Sequence, residues 1–314
     1  MSSCLVAMYH YVRDVSASPF PRLRALPPDV FERQLDWLQA HYTVIDLSAL
    51  EDALDGSASL PPKSALLTFD DGFVDHYEVV LPILRRRALS GVFFLAQDAC
   101  GEAPRVLGVH QTQFLLAALG ADAFGRAVIQ ECRAAAAVGT GRWSDAYGTD
   151  RWDPADERAV KQLLNYDLPF EESDRVLDAL FERHIGDSRA FACQLYLSPA
   201  HVETMAREGM RFGHHTRRHR VLSRLSVAEQ RDELSGGVGW IRGLTGQRRV
   251  SFCYPWGGRQ TYTADTLRIL GECGYSSAFN TVRRPASLET DDRYELPRLD
   301  TRDLPPYTAG ETAP

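Results

Sequence analysis

No CxxC pair occurs in the sequence. Its six cysteines stand singly at positions 4, 100, 132, 193, 253 and 273, which offers neither a zinc knuckle nor a disulfide framework. They read as reduced, buried thiols. A basic stripe is also missing: the formal charge is -7, and without clustered cations to neutralise phosphates a mainly electrostatic nucleic-acid binder is excluded. The one basic cluster, Arg217, Arg218, Arg220 and Arg224, reads as a solvated helix face or an anion site. No apolar run approaches the length that spans a bilayer. The run from Cys4 to Met8 follows no charged region and is too short for a signal-peptide core. It reads as a buried strand, and the compartment as cytoplasmic. No internal repeat is visible.

What is present is an alternation of apolar strands and amphipathic helices. Leu5–Tyr9 is a strand, and Pro28–Ala40 a helix with Phe31, Leu35 and Leu38 on one face and Asp29 as cap. Thr43–Ile45 is a short strand, and Ser48–Leu54 a short helix capped by Ser48. Ser64–Phe69 (SALLTF) and Gly91–Ala96 (GVFFLA) are continuous apolar runs, as expected of parallel strands buried on both faces. The helix Val79–Ala88 separates them. Such a rhythm argues for a parallel sheet or barrel.

From about 101 to 190 the rhythm stops. Gln111–Leu119, Ala123–Ala137, Pro154–Leu164 and Glu171–His184 all carry helical periodicity, around a polar, aromatic stretch Gly139–Asp153. The chain is therefore expected to form one α/β domain over 1–314 with a helical insertion, as a cap or lid, or as structural padding or an oligomer contact. The rhythm then resumes with strands at Ala192–Leu197, Met210–Gly213, Val250–Tyr254 and Ser277–Asn280. Helices at Pro199–Glu208, Ala228–Leu244 and Thr263–Cys273 lie between them. The Pro-rich tail after Asp303 reads as frayed.

Three segments carry chemistry. In Thr68-Phe69-Asp70-Asp71-Gly72, two carboxylates end an apolar strand where α/β proteins assemble active sites. Two adjacent buried anions need a compensating cation or donors, although a turn with one aspartate as cap gives the same pattern. In Gly213-His214-His215-Thr216-Arg217-Arg218-His219, the imidazoles of 215 and 219 fall on one side of a helical turn or tight loop. With a distant carboxylate they would make a two-histidine, one-carboxylate site; a solvated or structural pair is the other reading. In Phe252-Cys253-Tyr254-Pro255-Trp256-Gly257-Gly258, backbone N–H groups without regular partners can face a developing oxyanion, or simply belong to a Pro-Gly turn.

Together with the opening MYHYV, these segments resemble the polysaccharide deacetylase (NodB-homology) family, carbohydrate esterase family four. TFDDG is similar to its first motif, HTRRH to its His-Ser/Thr-x-x-His motif, and YPWGG to a variant of its third. The resemblance covers nearly the whole chain except the insertion. It implies a distorted barrel of about seven parallel strands and one divalent ion, Zn with Co, Ni, Mn or Fe as alternatives. By matching position, Asp71, His215 and His219 would bind the metal, Asp70 would be the general base, and the Trp256 backbone N–H would take the oxyanion role. The chain departs from the family pattern in several places. Cys253 and Tyr254 stand where an arginine often tethers the base, and Arg298 is the candidate replacement, or else a surface ion pair. The Leu-x-His motif and the Asp-Trp pair are not evident. His10 and His214 are possible stand-ins for the proton donor, or, with Tyr254, substrate-binding residues.

The expected activity is hydrolysis of an N-acyl (acetyl or formyl) amide on an amino sugar. The substrate is read as a small nucleotide- or lipid-linked intermediate of surface-polysaccharide or O-antigen assembly. Hydrolysis of non-sugar linear or cyclic amides is the enzymatic alternative. A glycan-binding protein with a degenerate site is the non-enzymatic one.

Overall fold

The computed structural model describes residues 3–132 and 153–307. In chain order the elements are β1 (Ser3–Tyr9), α1 (Pro28–His41), β2 (Thr43–Ile45), α2 (Leu47–Leu54), β3 (Ser64–Phe69), a π-helical turn His76–Val80 leading into α3 (Leu81–Arg86), β4 (Val92–Leu95), α4 (Gln97–Cys100), α5 (Gly108–Leu119), α6 (Ala121–Glu131), α7 (Ala155–Gln162), α8 (Phe170–His184) and α9 (Ser188–Leu195). There follow α10 (Pro199–Arg207), β5 (Arg211–His214), α11 (Val227–Leu234), α12 (Gly237–Thr245), β6 (Ser251–Cys253), α13 (Ala264–Cys273), β7 (Ala278–Phe279), β8 (Ala286–Ser287) and β9 (Leu299–Asp300). Two compact units are present. One comprises Met1–Asp14, Ala25–Ala103 and Leu195–Pro314; the other comprises Val15–Arg24 and Pro104–Gln194.

The first unit is a distorted barrel. Its strands run β7-β6-β5-β4-β3-β1-β8, with β2 beside β3 and β9 beside β1. All described pairings are parallel except that of β1 with β8. β3 faces β1 along its whole length, from Cys4↔Ser64 to Tyr9↔Phe69, while β2 and β4 divide its other edge. The ladder curls back on itself through residues 296–300. Leu296 exchanges backbone bonds with Ala278 and Asn280 at 2.9 Å each, and Leu299 and Asp300 then pair with Ala7 and Met8.

Alternation along the strands sorts the apolar residues into two layers. Cys4, Val6, Leu66, Phe94, Cys253 and Phe279 fill one cluster. Tyr9, Phe69, Phe93 and Phe212 form an aromatic layer, stacked or tilted at centroid distances of 5.2, 4.8 and 5.7 Å, and Phe31 of α1 packs edge-on to Tyr9 at 5.1 Å. Each such side chain removed from water contributes roughly 1.5–3 kcal/mol. In the second unit, Phe20, Phe114, Phe181 and Phe191 make an edge-to-face cluster. Asp153, buried there, pairs with Arg24 and Lys161.

Several local expectations are corrected. Residues 192–197 are not a strand: α9 runs to Leu195, and only Tyr196 bridges Phe73. Asp187 receives the Ala190 N–H at 2.6 Å and starts that helix, and Ala192 and Leu195 bury one helical face. α2 begins one residue earlier than expected, so Asp46, not Ser48, caps it by accepting the Ala49 N–H at 2.9 Å. Asp29 lies inside α1 and pairs with Arg33 instead of capping. Cys193 is exposed and Cys273 only partly buried. The stretch Gly139–Asp153, up to residue 152, and the expected helix beyond residue 132 lie outside the described residues, as does the tail from 308.

Candidate active site

The motif residues lie at the C-terminal ends of parallel strands of one sheet: His10 after β1, Asp70 and Asp71 after β3, His215 after β5, and Tyr254 to Trp256 after β6. The fold positions Asp70 first. Its backbone N–H donates to Tyr9 O at 2.9 Å, which continues the β1–β3 ladder by one residue. Its carboxylate, 2% exposed, meets a guanidinium from 228 residues away. Arg298 Nη1 donates to Asp70 Oδ1 at 2.8 Å and Nη2 to Oδ2 at 2.7 Å. The remaining donors are also used: Nε on Asn280 O at 3.1 Å, Nη1 on Thr68 Oγ1 at 3.2 Å, and Nη2 on Cys253 Sγ at 3.0 Å. A fully satisfied, bidentate guanidinium is the form in which a buried charge pair is tolerated. Burial pushes the Asp70 carboxyl up, but the Arg298 charge and hydrogen bonds outweigh it, with smaller help from His215 and His10, and hold it at about 2. The expected alternative, a surface ion pair for Arg298, is corrected, since this side chain is 1% exposed.

Asp71 adopts φ 75° and Gly72 φ 69°. This left-handed pair turns the chain sharply off β3 and carries the second carboxylate away from the first. Gly72 admits no side chain, because a Cβ there would lie 2.4 Å from Cys100 Sγ. Asp71 Oδ1 is 3.5 Å from both His215 Nε2 and His219 Nε2. His215 Nδ1 donates to the Cys253 carbonyl at 2.8 Å, which fixes the ring and leaves Nε2 as the nitrogen turned to Asp71. The three donor atoms lie within 4.8 Å of one another. Two imidazole nitrogens and one carboxylate oxygen fit a divalent ion of the zinc class.

Residues 215–219 form a tight loop, not a helical turn, with Thr216 at φ 62° and His219 at φ 58°. Trp256, at φ 65°, sets its ring edge-on to His219 with centroids 5.6 Å apart. Four non-glycine residues in the left-handed region therefore meet at one place, a pattern of stored strain found at functional sites. The basic cluster is not a helix face either: Arg217 pairs with Asp98 and Arg218 with Glu233.

His10 is half-buried, with Nε2 3.8 Å from Asp70 Oδ2. Its carbonyl accepts His76 Nε2–H at 2.9 Å; burial lowers the His76 pKa to about 4 and keeps that ring neutral. Two expected substrate contacts are corrected. His214 points away from His215, as adjacent strand residues must, and its Nδ1 meets Tyr275 OH at 2.6 Å beneath α12. Burial holds it at about 3. Tyr254 is likewise turned inward, stacked on Tyr262 at 4.0 Å with its hydroxyl on Tyr294 O. Sequence reasoning missed His76, Glu233 and the Cys253 carbonyl. None has a local signature, since each acts through a contact made only in the fold.

A sequence model described as polysaccharide deacetylase matches residues 57–114 and 163–278. A poly-β-1,6-N-acetyl-D-glucosamine N-deacetylase of Escherichia coli K12 is 32% identical over 78 residues, which are 24% of this chain and 11% of that protein. The deacetylase PplD of Streptococcus pyogenes has a similar fold, with a TM-score of 0.58, 17% identity, and 95% of this chain and 92% of that one covered. IcaB from Ammonifex degensii gives 0.56 and 18%, over 95% and 91%.

Proposed function

The chain belongs to the polysaccharide deacetylase family, and from that premise we propose that it hydrolyses the N-acyl amide of an amino sugar at the Asp70–Asp71–His215–His219 site. What supports the reading is Asp70, kept ionised by Arg298 next to a donor set suited to a metal but not part of it. A mere binding protein has no use for that second carboxylate. Asp71, His215 and His219 would hold a divalent ion. When bound, it supplies Lewis acidity that polarises the amide carbonyl and eases deprotonation of water. Asp70 accepts the proton of the attacking water, and Arg298 fixes the carboxylate so that little reorientation is needed. The Trp256 backbone N–H would donate to the developing oxyanion. His10 faces Asp70 from the exposed side and is the imidazole placed to protonate the departing amine.

The test is acetate or formate release by the purified chain with Zn²⁺ or Co²⁺. The panel contains N-acetyl and N-formyl amino sugars, nucleotide- and lipid-linked sugars, β-1,6-linked N-acetylglucosamine oligomers, and non-sugar amides. Release from a short nucleotide- or lipid-linked sugar would place the enzyme in surface-polysaccharide or O-antigen assembly. Release from the oligomers alone would favour a polymer like the one named for the E. coli relative. Turnover confined to non-sugar amides would end the sugar assignment.

A further inference from the structure

The loop carrying His215 and His219 is built around a carboxylate that the proposed reaction does not use. Glu233, near the end of α11, has a side chain with 0% exposure. Its Oε2 accepts the backbone N–H of Arg217 at 3.1 Å and of Arg218 at 2.8 Å, and its Oε1 accepts Arg218 Nε at 2.6 Å. Successive backbone N–H groups turned towards one point form an anion-binding nest. Here the anion is the protein's own.

The nest sits between the two left-handed residues of the loop, Thr216 and His219. Thr216 is β-branched, so this backbone is costly for it and persists only where the surroundings dictate it. Three further bonds complete those surroundings. His219 N–H donates to Thr216 Oγ1 at 2.9 Å, Gln97 N–H to Thr216 O at 3.1 Å, and Asp98 N–H to Arg217 O at 3.0 Å. An ordinary ion pair with Arg218 does not account for Glu233. Arg218 is 35% exposed, a setting where a pair contributes little, and two of the three bonds go to backbone.

We infer that Glu233 is a positioning residue: it holds the 215–219 loop in its strained shape, so that both imidazoles face Asp71 before any cation arrives. The inference rests on the reading of Asp71, His215 and His219 as a metal set. Its test measures Zn²⁺ affinity by chelator competition and the d–d absorption of the Co²⁺-loaded protein, in wild type and Glu233→Gln. A carboxamide has one acceptor oxygen and sets an NH₂ group against a remaining N–H or guanidinium donor. Zn²⁺ affinity is expected to fall roughly 10- to 100-fold, as for other outer-shell partners of metal ligands, with a changed Co²⁺ spectrum. Leu38→Ala, a cavity variant in α1 that lowers overall stability, should leave both unchanged. Affinity within twofold of wild type and an unaltered spectrum in Glu233→Gln would overturn the inference. Should that variant not fold, Glu233→Asp, one methylene shorter, decides on the same readouts: weaker binding supports the role and equal binding ends it. Wild type that binds neither ion removes the metal reading and this inference with it. Wild-type binding with unaffected Glu233 variants removes this inference alone.

Discussion

Replacing Asp70 with Asn separates chemistry from framework. Turnover should fall by about 10²–10⁴, the range for loss of a general base, while Zn²⁺ stays bound. The same change leaves Arg298 buried without its counter-charge, at a cost of about 3–5 kcal/mol that urea denaturation would read. Acid should act through the same pair. The Asp70 carboxyl titrates at about 2 in the folded protein against an ordinary 3.8, a depressed value. Its stabilisation is therefore complete above the ordinary value and lost as pH falls towards 2, amounting to about 2 kcal/mol. Urea midpoints followed from neutral to strongly acid pH should show this loss in wild type and lack that share in Asp70→Asn. Equal slopes would mean the pair does not hold the carboxylate. At this scale the sequence was partly legible. Asp70, Asp71 and His215 stand at or just past the ends of strands, His219 lies four residues beyond His215, and the fold brings them together. His214 and Tyr254 were misplaced because period-2 alternation sends a residue next to an inward side chain to the other face. The Asp70–Arg298 pair could only be guessed, since nothing local links positions 228 apart.

The strands tolerate little change where they bring side chains to the site. A Cβ on Gly213 of β5 would lie 2.4 Å from the Phe94 ring and 2.7 Å from Ser251 O, a backbone atom of the next strand. Gly213→Ala should destabilise by roughly 1–3 kcal/mol and disturb His215 two residues on. Gly243→Ala is the control: its Cβ would meet nothing within 4 Å, and in α12 it should stabilise by about 0.5–1 kcal/mol. Denaturant midpoints of the two variants moving in the same direction would contradict this packing argument. Most strands were legible because buried parallel strands are unbroken apolar runs, as in SALLTF. The error at 192–197 has the converse cause. A run of mixed apolar residues fits a strand or a helix, and here Asp187, several residues upstream, decided for the helix.

For the whole molecule, metal removal gives the broadest test. Zn²⁺ that binds only the folded protein stabilises it by RT ln(1 + [L]/Kd), about 2.7 kcal/mol at a hundredfold excess over Kd. Chelation should lower the melting temperature, and returned Zn²⁺ should restore it. A melting curve indifferent to both would argue that the three donors hold no ion. The alternating rhythm pointed to a parallel sheet or barrel, and the family resemblance to the barrel, but neither to its closure through 296–300, where the paired stretches are short and far apart in the chain.

That closure gives the protein a built-in order of assembly. The carboxylate read as the base emerges early in synthesis, whereas the guanidinium that holds it arrives with one of the last elements to pair with β1. Such long-range contacts form late and slowly. A ribosome-released fragment ending before residue 298 would carry every ligand of the candidate ion, yet an unrestrained acid. Catalytic competence would thus report that synthesis had passed residue 298 and that the barrel had closed.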